Sequence, residues 1–323
     1  MVKRRRALVL LTMFGSLVFA SSATRGAGAG ASASAGAGAN PTTAPSSELR
    51  PINLSLQPDN NPDSVYAPPA PPRPEEGVNQ GGVHFDLNVG YFTDYIYRGI
   101  EIFEPPGGED RGNLQISAKL SWDLGKLPHP FVGVFANVAE SDPISTFQEI
   151  RPYVGAELTL RPFILSAGYT SYIYPDRDTL ETSEVWGRLE LDDSYFLKSD
   201  RPLLSPYLLI VYDIDLYNGW YLEAGVKHDF AIEDTGLTLT PYAHVAFVDG
   251  FELFATRPDQ EILGFQHYQI GLIANYSLNA LLNVSTRYGD WSVIGYLNYT
   301  DGLENELRAD TQVWGGLGIG FKY

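Results

Sequence analysis

Residues 113–124 alternate without a break: Leu114, Ile116, Ala118, Leu120, Trp122 and Leu124 interleave with Asn113, Gln115, Ser117, Lys119, Ser121 and Asp123. A period of two places each set on its own face of a strand, and no helical period fits the run. Similar segments recur at 131–139, 148–160, 163–174, 183–191, 205–214, 219–230, 237–248, 265–276, 290–300 and 311–323. An earlier one spans 84–98, with Leu87, Val89, Tyr91, Tyr95 and Tyr97 on one face and Asp86, Asn88, Gly90, Asp94 and Arg98 on the other; Phe92 and Ile96 interrupt it. Together these predict about twelve strands, an even number, each with one apolar and one polar face. The expected fold is all-β: a transmembrane antiparallel β-barrel of up-and-down topology, lipid outside and a polar lumen within.

The connections support that reading. Those at 125–130, 161–162 and 233–236 are short, whereas 100–111, 175–181, 249–263 and 301–310 are longer and mostly acidic. Short periplasmic turns and long exterior loops have this asymmetry. Three connections break the rule: 192–204 and 278–289 are long on the short side, and 215–218 is short on the long side. Composition agrees, since 19% of residues are charged, 20 are Tyr, 32 are Gly and the mean hydropathy is −0.13. A bundle of membrane helices would be far more apolar, while an alternating wall averages near neutral.

Residues 1–20 open with Lys3, Arg4, Arg5 and Arg6 and continue as an apolar run ending in small residues, which reads as a signal peptide. Residues 21–82 are rich in Gly, Ala and Ser and then in Pro, too poor in large apolar residues to bury a core, so a disordered periplasmic tether is expected. Passive linkage is its simplest role, with contact to peptidoglycan the alternative. The barrel then occupies 83–323. With no Cys there is neither a disulfide nor a lipoprotein anchor, so an exported Gram-negative chain of this kind is expected in the cell outer membrane. The formal charge of −17, more negative once the basic leader is removed, excludes a nucleic-acid partner. Val313, Leu317, Ile319, Phe321 and Tyr323 alternate with Gln312, Trp314, Gly316, Gly318, Gly320 and Lys322. Leu317, Ile319, Phe321 and Tyr323 are the expected signal to the barrel assembly machinery, and the opposite glycines are expected to curve the wall or admit a bulky neighbour.

The element Thr93-Asp94-Tyr95-Ile96-Tyr97-Arg98-Gly99-Ile100, followed by a long loop and then by 117–125 (SAKLSWDLG), resembles the TorF-like porin family over roughly 83–323; Glu101 stands where a small polar residue is usual. The resemblance implies a barrel with pore activity. Independently, the face assignment nominates Asp86, Asp94, Arg98, Lys119, Asp123, Arg151, Glu157, Arg188, Glu190, Glu223 and Lys227 as pore-lining residues, with Arg161, Asp229 and Lys322 as further lumen charges. Asp94 and Arg98 lie about 13 Å apart along one strand and must find partners on neighbours. A balanced set of charges can line a channel or fill the lumen as ion pairs.

The favoured expectation is a porin-like channel for passive diffusion of small hydrophilic solutes, needing no cofactor and no metal. The alternative is a closed structural or surface-interaction barrel, its acidic loops forming the working surface. A lipid-modifying enzyme is less favoured, because none of His84, His129, His228, His244 and His267 has a Ser two residues on. His244 is expected to face inward and His228 outward, forming no dyad, and Asp213 and Asp215 suggest a rim carboxylate pair by composition alone. No catalytic residue is assigned.

Overall fold

The computed structural model describes residues 82–102, 112–139, 148–175, 178–199, 201–232, 235–257 and 260–323. The expected signal peptide, the tether up to residue 81 and most of the connection 100–111 lie outside the described residues. The strands are β1 (Val83–Phe92), β2 (Ile96–Tyr97), β3 (Ile100–Glu101), β4 (Asn113–Trp122), β5 (His129–Ala139), β6 (Glu149–Leu160), β7 (Phe163–Tyr172), β8 (Thr182–Leu191), β9 (Tyr207–Asp213), β10 (Trp220–Lys227), β11 (Phe230–Ile232), β12 (Leu237–Asp249), β13 (Leu263–Ser277), β14 (Asp290–Gly302) and β15 (Gln312–Lys322). Twelve of these pair antiparallel with their neighbours around a closed ring: β1, β4 to β10 and β12 to β15. Two pairings complete the ring. β1 pairs with β15 in the register Leu87↔Phe321 and Tyr91↔Leu317, and β10 pairs with β12, so no wall strand is left with an open edge. The short β11 continues the line of β10 along β12.

Burial runs opposite to that of a soluble protein. In β4 the polar Asn113, Gln115, Ser117 and Lys119 are buried, while Leu114 on the other face is exposed. Val132, Val154, Leu165, Ile210, Ile270, Leu297, Leu317 and Ile319 extend this outward apolar surface around the ring. Only an apolar surrounding gives such a face a favourable neighbour. The end of β15 is fastened by backbone bonds in both directions between Phe85 and Tyr323, each 2.8 Å, and the Phe321 ring packs 4.5 Å from Trp291. Space for an inward ring is left at Gly316, where a Cβ would fall on the Phe92 ring.

The strand expected over 84–98 is corrected. β1 stops at Phe92, and the chain then turns into the barrel as the two-stranded hairpin β2–β3, pairing Tyr97 with Ile100. Tyr95 and Tyr97, expected to face lipid, are buried inside, because the chain leaves the wall before either residue is reached. A second departure from simple alternation lies in β13, where the register on β12 shifts between Val245 and Phe247. Gln266 and His267 therefore both turn inward and are fully buried, as a bulge allows. The three anomalous connections are real. Residues 192–206 contain one helical turn, Ser194–Leu197, braced by the Asp193 carboxylate on the backbone N–H groups of Leu203 and Leu204 at 2.8 Å each. Residues 278–289 contain another, Leu278–Leu282. The tight 215–218 turn is gathered by Asp213 Oδ1, which accepts from the backbone of Asp215, Tyr217 and Asn218 at 3.1, 2.8 and 3.1 Å.

Candidate functional site

The hairpin that enters the lumen is held by its own residues. Arg98 and Gly99 form its turn with φ of 49° and 74°. Two successive left-handed residues are what a tight hairpin of this twist requires, and Gly meets the demand without strain. Arg98 meets it at some cost, and its side chain is fastened in return. Nη1 and Nη2 donate to the two oxygens of Glu184 on β8 at 2.6 and 2.8 Å, with both side chains essentially inaccessible. Tyr172 donates to the same carboxylate at 2.6 Å. The Arg98 guanidinium also lies 4.5 Å from the centre of the Tyr221 ring. Burial works against its charge, but Glu184, with smaller contributions from Tyr97 and Tyr172, holds it protonated. The neighbouring Tyr97 phenol is pushed well above its ordinary range by burial; Arg98 opposes the shift and Glu184 adds to it.

A second arginine stands beside the first. The guanidiniums of Arg98 and Arg151 each lie 4.8 Å from the Tyr97 ring, and Arg151 is paired with Glu149, which also accepts from Tyr95 Oη at 2.7 Å. The turn is tied at its backbone as well. Gln266 Nε2 donates to the Arg98 carbonyl at 2.9 Å, and the Asp310 N–H donates to the Gly99 carbonyl at 2.7 Å. His267 lies directly under the turn, so that a Cβ on Gly99 would stand 2.6 Å from its Cγ. Ile100 completes the anchorage in an apolar cluster with Tyr221, Phe251, Phe254 and Leu307.

The remaining lumen charges are brought together in smaller sets. Lys119 stands 3.5 Å from Asp86, whose strand partner across β1 and β15 is Lys322. Glu190 faces Arg188 at 3.2 Å and Lys227 at 3.7 Å. Glu223 accepts from Tyr207 and Tyr221 at 2.6 and 2.8 Å. Glu157 is half-buried on β6 opposite His129. Asp94 is buried between β1 and the hairpin, so neither it nor Arg98 belongs to the wall strand expected for them. Asp123 and Arg161 are not lumen residues: both are exposed at strand-joining turns, where Asp123 accepts from the Gly125 N–H at 2.7 Å. Asp229 lies between β10 and β11 and accepts from Thr240 at 2.6 Å.

Several residues of the site were absent from the expected set. Glu149 and Glu184 carry the same strand parity as Arg151 and Arg188, so the alternation already marked them. His267 shares the inward parity of Gln269 and Ile273, so the alternation marked it too; Gln266 is the residue that the bulge moves out of phase. His267 Nε2 stands 3.3 Å from His244 Nε2, and His244 is 3.9 Å from Glu223, while His228 sits at a turn against the Leu203 carbonyl. Down the inner wall Asn88, Gln115, Asn137, Glu223, Thr240, Gln269 and Thr300 are all buried. Among the described residues, these inward side chains and those of the hairpin are packed out of contact with water.

No family model matches the chain, and no curated relative does. Solved structures resemble it distantly. The NanC porin shares 11% identity over 74% of this chain and all of its own, with a TM-score of 0.44. An outer membrane channel from Pseudomonas putida F1 shares 10% over 78% of this chain and all of its own, at 0.41. The KdgM porin in complex with disordered oligogalacturonate shares 9% over 74% of this chain and 99% of its own, at 0.39. The barrel assignment rests on the chain's own strand register.

Proposed function

We propose that the protein is an outer-membrane channel for small hydrophilic solutes, here in a shut state in which the β2–β3 hairpin fills the lumen. The observation that carries this reading is the hairpin lock, Arg98 on Glu184, set in a lumen lined with amides, hydroxyls and ion pairs. Burying such groups is expensive, and a barrel serving only as a scaffold is built at least as stably with apolar packing. A polar lining is favourable when the lumen wets. The residues that carry the resemblance to TorF-like porins, Asp94, Tyr95, Arg98, Gly99 and Ile100, are those of the hairpin, which supports extending that family's implied pore activity to this chain. On the same reading the outward apolar face meets outer-membrane lipid. Leu317, Ile319, Phe321 and Tyr323 present the closing strand to the assembly machinery.

Planar-bilayer recording on refolded protein tests the function. Wild-type protein is expected to stay mostly shut with brief steps, and Arg98→Ala to open more often, with a shift toward cations because it removes a positive charge from an acidic protein. Correctly folded wild-type and Arg98→Ala proteins that both give no steps would end the channel reading. A second reading, the closed structural barrel, is favoured by Asp86, Lys119 and Glu190, which are also buried although, among the described residues, the β2–β3 hairpin makes no bond to them. It expects silence from both proteins.

A further inference from the structure

Gln115 on β4 and Asn137 on β5 face each other across the sheet, and both are fully buried. Neither the oxygen nor the nitrogen of either amide has a hydrogen-bond partner. Three other inward amides are served. Gln269 binds Tyr242 and Thr300, Gln266 binds the carbonyls of Arg98 and Arg308, and Asn298 accepts from Tyr242. Four unmatched amide atoms in one place cost free energy in the shut state, and a group able both to give and to accept hydrogen bonds removes that cost. Glu149, the strand partner of Asn137, disfavours an anion, and its pairing with Arg151 leaves no net charge to attract a cation. The complement is neutral and carries hydroxyls.

An aromatic face adjoins the amide pair. Phe135 lies two residues before Asn137 on the same face of β5 and is buried. The Arg151 guanidinium lies 4.9 Å from its centre, and the Tyr95 ring of the hairpin is stacked beside it at 6.3 Å between centroids and 23° between planes, with its hydroxyl bonded to Glu149. A flat ring with a hydroxyl at its edge has the outline of a sugar ring, whose C–H face stacks on an aromatic while its hydroxyls reach polar groups at the side.

We propose that Gln115, Asn137 and Phe135 form a subsite for a neutral, hydroxyl-rich solute such as a pyranose, and that Tyr95 occupies it while the hairpin is inside. The proposal rests on the channel reading for its biological use, but its test does not require conduction. Maltotriose serves as the probe, with binding read by saturation-transfer NMR on detergent-refolded protein and by interruptions of single-channel current. Tyr95→Ala, which vacates the subsite, is expected to bind maltotriose more tightly than wild type. Adding Gln115→Leu or Asn137→Leu to it should weaken binding about tenfold, the loss of one or two hydrogen bonds. Thr238→Val, on the opposite wall, should leave binding unchanged. Retention of the heat-modifiable folded band shows that each variant has folded. Absence of maltotriose binding to Tyr95→Ala, or binding indifferent to both leucine substitutions, overturns the subsite and assigns the amides to ordered water alone. Binding without current steps sinks the channel reading and leaves the subsite standing; steps without binding do the reverse.

Discussion

Gln266 holds the backbone of Arg98 at 2.9 Å from β13, while Glu184 holds the same residue's guanidinium from β8. One residue of the hairpin is thus fastened to two separate stretches of the wall, by different atoms and by different chemistry.

Removing the charged half of that fastening leaves Glu184 buried without its cation. Arg98→Ala should therefore lower unfolding stability by about 3–5 kcal/mol, measured by urea titration in vesicles. Pairing it with Glu184→Gln should recover much of the loss, because no buried charge is then unmatched. Additive losses in the double variant would mean that the two side chains do not interact in the membrane.

Leu317 projects outward from the middle of β15, and Leu127 lies at a turn. Arg at position 317 should cost about 2–4 kcal/mol and Arg at 127 about 0–1, since the penalty for charge against lipid falls toward the interface. Equal costs at the two positions would contradict the depth assigned to the strand.

Gly316 yields its side-chain space to the Phe92 ring, which also packs 5.2 Å from Tyr296. Gly316→Val should overpack this contact and cost about 1–3 kcal/mol, and Phe92→Leu in the same chain should relieve part of it. A neutral Gly316→Val would place the ring elsewhere.

Asn279 secures the 278–289 excursion. Its amide donates to the carbonyls of Val284 and Gly289 at 3.3 and 2.9 Å, and its oxygen accepts from the Trp291 N–H at 2.6 Å. Asn279→Leu should cost about 1–3 kcal/mol and expose this stretch to limited proteolysis while the barrel persists. An unchanged cleavage pattern would show that the amide is not the brace.

The alternation in residues 113–124 was enough to place Leu114 outside and Gln115 inside, and the same rule located all twelve wall strands. It could not show that Tyr95 and Tyr97 leave the wall, since their parity continues that of Leu87, Val89 and Tyr91. The hint lay in Arg98-Gly99, a turn-capable pair inside an apparently regular strand, together with Phe92 and Ile96 on the wrong face. Nor does alternation separate a wet lumen from a packed one. Ser117 and Lys119 would be polar and inward in either, and only the third dimension brings Lys119 beside Asp86. Gln266 was hidden for a different reason: one extra residue in β13 reverses the face of everything on one side of it, and Gln266 lies on that side.

The hairpin follows directly from β1, with Thr93 already bonded to Gly315 at the rim. On the proposed channel reading it is a stopper on a short leash. Pulled out, it stays within a few residues' reach of its seat, at an effective concentration of about millimolar or more. On that reading closure is a unimolecular event, independent of how much protein the membrane holds. A free peptide copying 93–102 would have to be supplied at comparable concentration to compete.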